Sequence, residues 1–135
     1  MKRFFSVLVL AIVVLSLSAA APLPVPTFTW GPDLPSTMNV GDEATITIHV
    51  ESLDQEFISV TALPAFKYAG KGVVVIQGGD RSGHGTDATL TLTFKAKSAT
   101  ERMENNQAVV RVVVGVRYAG GYVVTEERVY LVTIP

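Results

Sequence analysis

Ala108-Val-Val-Arg-Val-Val-Val-Gly-Val-Arg-Tyr118, then Ala119-Gly120-Gly121, then Tyr122-Val-Val-Thr-Glu-Glu-Arg-Val-Tyr-Leu-Val132 is the stretch that decides the fold. β-branched and aromatic residues at this density fit a pleated surface packed on at least one side. A glycine pair between two such runs is a hairpin signal. An isolated hairpin is marginal in water, so other strands must cover it.

The chain upstream supplies them. Ala44, Ile46, Ile48 and Val50 alternate with Thr45, Thr47, His49 and Glu51. Ala88, Leu90, Leu92, Phe94 and Ala96 alternate with Thr89, Thr91, Thr93, Lys95 and Lys97. Strict period-two patterning puts one face on a core and the other in water. Phe57 to Leu63 reads as a shorter strand ended by Pro64, and Val73 to Ile76 as another. Gln77 to Asp87 reads as a glycine-rich loop, and Ser98 to Gln107 as a polar connection with a helical turn around Thr100 to Glu104. Glu126-Glu127-Arg128 interrupts the apolar phase of the last strand, which predicts a bulge there or a strand that outruns its partner sheet. No segment holds a 3.6-residue period. About seven antiparallel strands at turn spacings of roughly ten residues predict an all-β sandwich.

Met1-Lys2-Arg3, the apolar run Phe4 to Leu17 and the small residues Ser18-Ala19-Ala20 have the layout of a secretory signal cut before Ala21. The alternative is an uncleaved hydrophobic anchor helix, because Phe4 to Ala21 nearly matches the roughly 20 residues that span a bilayer. In both cases Lys2 and Arg3 stay inside and the domain goes outside the cytoplasm, secreted or held at the cell surface. Residues 21–38 carry five of the seven prolines and read as an extended linker running into a first edge strand near Thr27 to Trp30. Residues 39–135 form the sandwich domain. Trp30, the sole tryptophan, is expected to plug the core or cover a sheet.

Formal net charge is -1, and without Lys2 and Arg3 the acidic excess grows slightly. That balance gives no footprint for nucleic acid or anionic lipid, so membrane contact is expected only through the N-terminal segment. The chain has no cysteine, which excludes disulfides, thiolate metal sites and cysteine nucleophiles. Stability must come from packing and sheet hydrogen bonds.

Val40-Gly41-Asp42-Glu43-Ala44-Thr45-Ile46-Thr47-Ile48, then Thr89-Leu90-Thr91-Leu92-Thr93-Phe94, then the closing hairpin resemble the immunoglobulin-like modules of prokaryotic cell-surface proteins, the adhesion-type and S-layer-associated domains of archaea and bacteria. The resemblance covers Val40 to Pro135. It implies an immunoglobulin-like β-sandwich at the cell surface and carries no catalytic or binding residues.

Candidate sites are few. Asp80, Arg81, His84 and Asp87 share the glycine-rich loop, where glycines let backbone approach a ligand. Arg81 and His84 are the candidate contact residues. Asp80 and Asp87 are candidate oxygen ligands for Ca2+, at a spacing that matches no EF-hand. His49 is expected to be solvated or paired across strands. Tyr68, Tyr118 and Tyr122, with Tyr130, are candidates for an exposed aromatic platform for sugar and equally for strand packing. No catalytic triad, carboxylate pair, phosphate loop, dinucleotide fingerprint or zinc spacing is present, so neither catalysis nor an organic cofactor is expected. The expected role is protein–protein contact at the cell envelope, with another surface protein or with itself. The alternatives are a filament or surface-layer subunit assembled by strand donation, and a carbohydrate-binding module.

Overall fold

The computed structural model describes residues 23–67, 72–77 and 79–135. The leader and Tyr68 lie outside the described residues.

Among the described residues eight strands form two antiparallel sheets. They are β1 (Thr27–Trp30), β2 (Glu43–Glu51), β3 (Phe57–Lys67), β4 (Val73–Gln77), β5 (Gly79–Gly85), β6 (Asp87–Ala96), β7 (Ala108–Tyr118) and β8 (Val123–Val132). One sheet has the order β1-β2-β6-β4 and the other β5-β3-β7-β8. The alternating segments behave as their pattern demands. Ile46, Ile48 and Val50 of β2 and Leu90, Leu92 and Phe94 of β6 turn inward and are buried. They meet Val110, Val112, Val114 and Val116 of β7 and Val60 of β3 in one core. Each such side chain contributes about 1.5–3 kcal/mol on burial.

The hairpin closes as its glycines require. Gly120 and Gly121 have φ of 88° and 87°, a region open to glycine and closed to most side chains. The Tyr118 N–H bonds the Tyr122 carbonyl at 2.8 Å. From there β7 and β8 pair without a register shift from Arg117 opposite Val123 to Ala108 opposite Val132.

Three expectations are corrected. Gly79 to Gly85 is strand β5, paired with β3, so the glycine-rich stretch supplies an edge strand and gives an eighth strand. β4, which ends at Gln77, and β5, which begins at Gly79, belong to opposite sheets. β3 does not stop at Pro64 but runs on to Lys67 against β7. Pairing with β5 reaches only Ala62, so Pro64 lies where that side of β3 is an edge and its missing N–H costs no ladder bond.

The third correction concerns Glu126-Glu127-Arg128, where no bulge occurs. The inward phase continues through Val124, Glu126, Arg128, Tyr130 and Val132, and its two charged members lie where β8 meets β1 across the edge of the sandwich. The Trp30 indole N–H donates to Glu126 Oε1 at 3.3 Å. The Arg128 guanidinium lies 5.1 Å over the Trp30 ring, and its Nη1 reaches Asp33 Oδ1 at 3.0 Å. Trp30 packs against the core as a strap between the sheets, in keeping with its expected role as a cover. Beyond β1 the chain crosses to the other sheet. Thr37 forms a parallel bridge with Thr133, the Met38 N–H bonds the Thr133 carbonyl at 3.0 Å, and the Thr133 N–H bonds the Ser36 carbonyl at 2.8 Å.

Candidate interaction face

The two outer faces of the sandwich differ in chemistry. On the β1-β2-β6 side the outward positions are hydroxyl-rich. Thr45 pairs with Thr93 (Oγ1 to Oγ1, 2.9 Å) and the His49 ring nitrogen Nδ1 with Thr89 Oγ1 at 3.1 Å. His49 is thus a cross-strand partner. This is the usual exterior of an antiparallel sheet.

The β3-β7-β8 side breaks that rule. Outward positions on β7 include Val109 and Val113, and on β8 Val123, Val129 and Leu131. Leu63 of β3 is 61% exposed, and Val123, Val129 and Leu131 are each 50–51% exposed. Register makes these neighbours: Val109 lies opposite Leu131, and Val113 lies opposite Leu63 on one side and Glu127 on the other. Arg111, opposite Val129, reaches diagonally to Glu127, with Nε to Oε2 at 3.3 Å. Both side chains are about half exposed, so the pair adds little stability. Among the described residues the face thus carries one ion pair amid valines and leucines, with Arg117 exposed toward its Tyr118 end. Gly115 leaves a dent in it, for a Cβ there would meet only a Thr125 methyl at 4.0 Å.

At the end of this face, Val109 and Leu131 floor a shallow pocket walled by Glu104, Asn105 and Gln107. Asn105 and Asn106 hold φ of 56° and 54°, a left-handed turn that asparagine tolerates better than most residues.

Three of the edge strands, β1, β5 and β8, are defended. β1 follows a proline-rich run, β8 turns Glu126 and Arg128 inward, and β5 is rich in glycine and charge. Inward-pointing charge, proline and weak strand formers all discourage edge-to-edge pairing. The face is the better contact surface.

The sequence-based candidates fare unevenly. Tyr118 is fully buried. Its hydroxyl and Ser52 Oγ lie 2.9 Å apart, and Ser52 donates onward to the Gln55 carbonyl at 2.6 Å. It cannot belong to an exposed aromatic platform, because its place on the inward phase of β7 puts the ring in the core. Tyr122 is half-buried against the same core, its ring centroid 6.1 Å from that of Tyr118. Tyr130 is also buried. Asp80, Arg81 and His84 belong to strand β5, Asp80 opposite Thr61 and Arg81 opposite Val60. Asp87 opens β6 in the other sheet, opposite Glu51, so the two candidate Ca2+ ligands stand on different sheets. Among the described residues no three His, Asp or Glu side chains gather as metal ligands.

The outward valines of β7 were missed as a site. Their signal was present: Val109-Val110 and Val112-Val113-Val114 are apolar in both phases, the mark of a strand with two apolar faces.

No protein-family model matches the chain, and no curated protein does. Solved structures do. A chain in the complex of Zinc 2-glycoprotein and Prolactin inducible protein from human seminal plasma gives a TM-score of 0.51 at 13% identity, over 82% of this chain and 94% of that one. The cohesin module of a Clostridium perfringens family 33 glycoside hydrolase gives 0.48 at 15% identity, over 84% of this chain and 100% of that one. The SrpA adhesin of Streptococcus sanguinis gives 0.47 at 16% identity, over 86% of this chain and 60% of that one. At these identities the likeness is one of fold alone, a two-sheet antiparallel β-sandwich. Among the described residues no helix is long and apolar enough to cross a membrane.

Proposed function

We propose that the chain is a non-enzymatic, extracytoplasmic β-sandwich module whose work is protein–protein contact at the cell envelope. The observation that carries this is the outer face of β3, β7 and β8, where Leu63, Val109, Val113, Val129 and Leu131 stand exposed or half-exposed in adjoining registers. A contiguous apolar patch with a polar surround marks an interaction surface. The leader-like N-terminus supports export. Strand donation has less support, since β1 is paired within its own sheet.

The test is photocrosslinking in cells that export the protein, with a photoreactive residue at Val129 or, as control, at Thr91 on the threonine face. Val129 should give a discrete adduct and Thr91 none. Equal yields from the two faces, or none from either, would refute the proposal. A hydrolase activity that stays with the protein through purification would also displace it.

A further inference from the structure

We infer that the occupant of this face is a second copy of the chain, docked face to face about a two-fold axis that crosses the strands level with Val112. This rests on the face being a contact surface and goes beyond it by naming the partner.

Three features support a self-complementary contact. The first is charge. An isologous interface must match itself, and the ion pair at the centre of the patch is one cation and one anion, Arg111 and Glu127, while Arg117, also outward on β7, and Lys67, opposite Val109 in register, stand toward its two ends. With the axis at Val112, Arg111 of each copy lies over Val113 of the other and beside its Glu127, so the intrachain ion pairs are replaced by two between copies. The second is shape. The same axis sets Val109 of each copy over Gly115 of the other, where the missing side chain leaves room. The third is size. Three strands at about 4.8 Å spacing and about ten residues at about 3.3 Å rise give a footprint of roughly 500 Å2 in projection. The corrugated accessible surface is larger, and a standard interface takes about 800 Å2 per partner.

The exported protein should have twice its monomer mass by light scattering at tens of micromolar. Arg111→Glu and Glu127→Arg should each associate at least tenfold more weakly, because like charges then meet across the axis. An equimolar mixture of the two should recover the dimer, since one copy brings two carboxylates and the other two guanidiniums. Val109→Cys/Gly115→Cys should oxidise to a covalent dimer. The chain has no other cysteine, and six residues along one strand hold the two thiols of a single copy about 20 Å apart. Unfolding midpoints close to wild type establish that the charge variants fold. A wild type that stays monomeric over this range, or a mixture that fails to associate, overturns the two-fold dimer. Photocrosslinks from Val129 to a different protein, with the purified chain monomeric, would sink the dimer and leave the contact face standing.

Discussion

Thr100 gives the sharpest test of what holds the lower end of the sandwich. It is a threonine with no exposure, in the connection between β6 and β7. Its Oγ1 accepts the Ile134 N–H at 3.0 Å and donates to the Asn106 carbonyl at 2.7 Å. Its own N–H bonds the Ile134 carbonyl at 2.9 Å. One hydroxyl thus ties the end of the chain to the turn that walls the apolar face. Thr100→Val keeps the shape and removes the hydroxyl. The buried Ile134 N–H then has no acceptor, which costs about 1–3 kcal/mol. The half-buried Asn106 carbonyl adds less, so about 2–3 kcal/mol is expected, on the order of 10 °C in Tm. Thr100→Ser is the control, because it keeps the hydroxyl and loses one methyl, worth about 1 kcal/mol. Urea unfolding should rank wild type above Ser and Ser above Val, with unchanged slope. A valine variant as stable as the serine variant would show that the three-way hydrogen bonding is not what secures this end.

Two further outcomes follow from the edge where β1 meets β8. The buried Tyr130 hydroxyl has no hydrogen bond of good geometry, although the Arg128 side chain stands beside it as a donor. Burial raises its pKa, the Arg128 guanidinium opposes that rise, and the Asp33 carboxylate adds to it. The unfolded chain therefore loses this proton first as pH climbs past about 10, and stability present below that pH declines until the folded pKa is reached. Tyr130→Phe should remove that part of the alkaline decline and cost little at neutral pH; a neutral-pH loss above about 1 kcal/mol would mean the hydroxyl is bonded after all. Gly31→Ala should destabilise by about 1–3 kcal/mol through overpacking, since its Cβ would sit 3.0 Å from the Thr47 carbonyl oxygen. The sole tryptophan reports it directly: its emission should shift to the red as the strap loosens, and an unchanged spectrum would count against the clash.

Alternation made β2 and β6 legible in the sequence, and the Gly120-Gly121 turn made the closing hairpin legible, because backbone sterics and one-sided burial leave a periodic trace. β5 was not legible. Gly79-Asp-Arg-Ser-Gly-His-Gly85 has no apolar phase, and its pairing with β3 uses main-chain groups that every sequence possesses. Pro64 misled because its cost depends on whether a neighbour strand extends that far, which is a tertiary fact. Glu126 and Arg128 looked like an interruption because their partners, Trp30 and Asp33, are about 95 residues away. The apolar outer face was half legible. The unbroken valines announced two apolar sides, but only the register places Leu63 beside Val113 and the charge pair among them.

The stitch between residues 36–38 and Thr133 gives the molecule a mechanical direction. The chain enters near the 52–56 loop, beyond the Thr27–Glu51 end of β1, and leaves past Ile134 at the opposite pole. The stitched segments run parallel, one drawn by its N-terminal side and the other by its C-terminal side. Tension along the chain therefore slides them past each other and cannot unzip them one bond at a time. Both hydrogen bonds lie across the pull, and the load is shared with the β1 pairing to β2 on one side and with Thr100's grip on Ile134 on the other. Set in series with other modules, such a sandwich holds as a stiff link until it yields all at once.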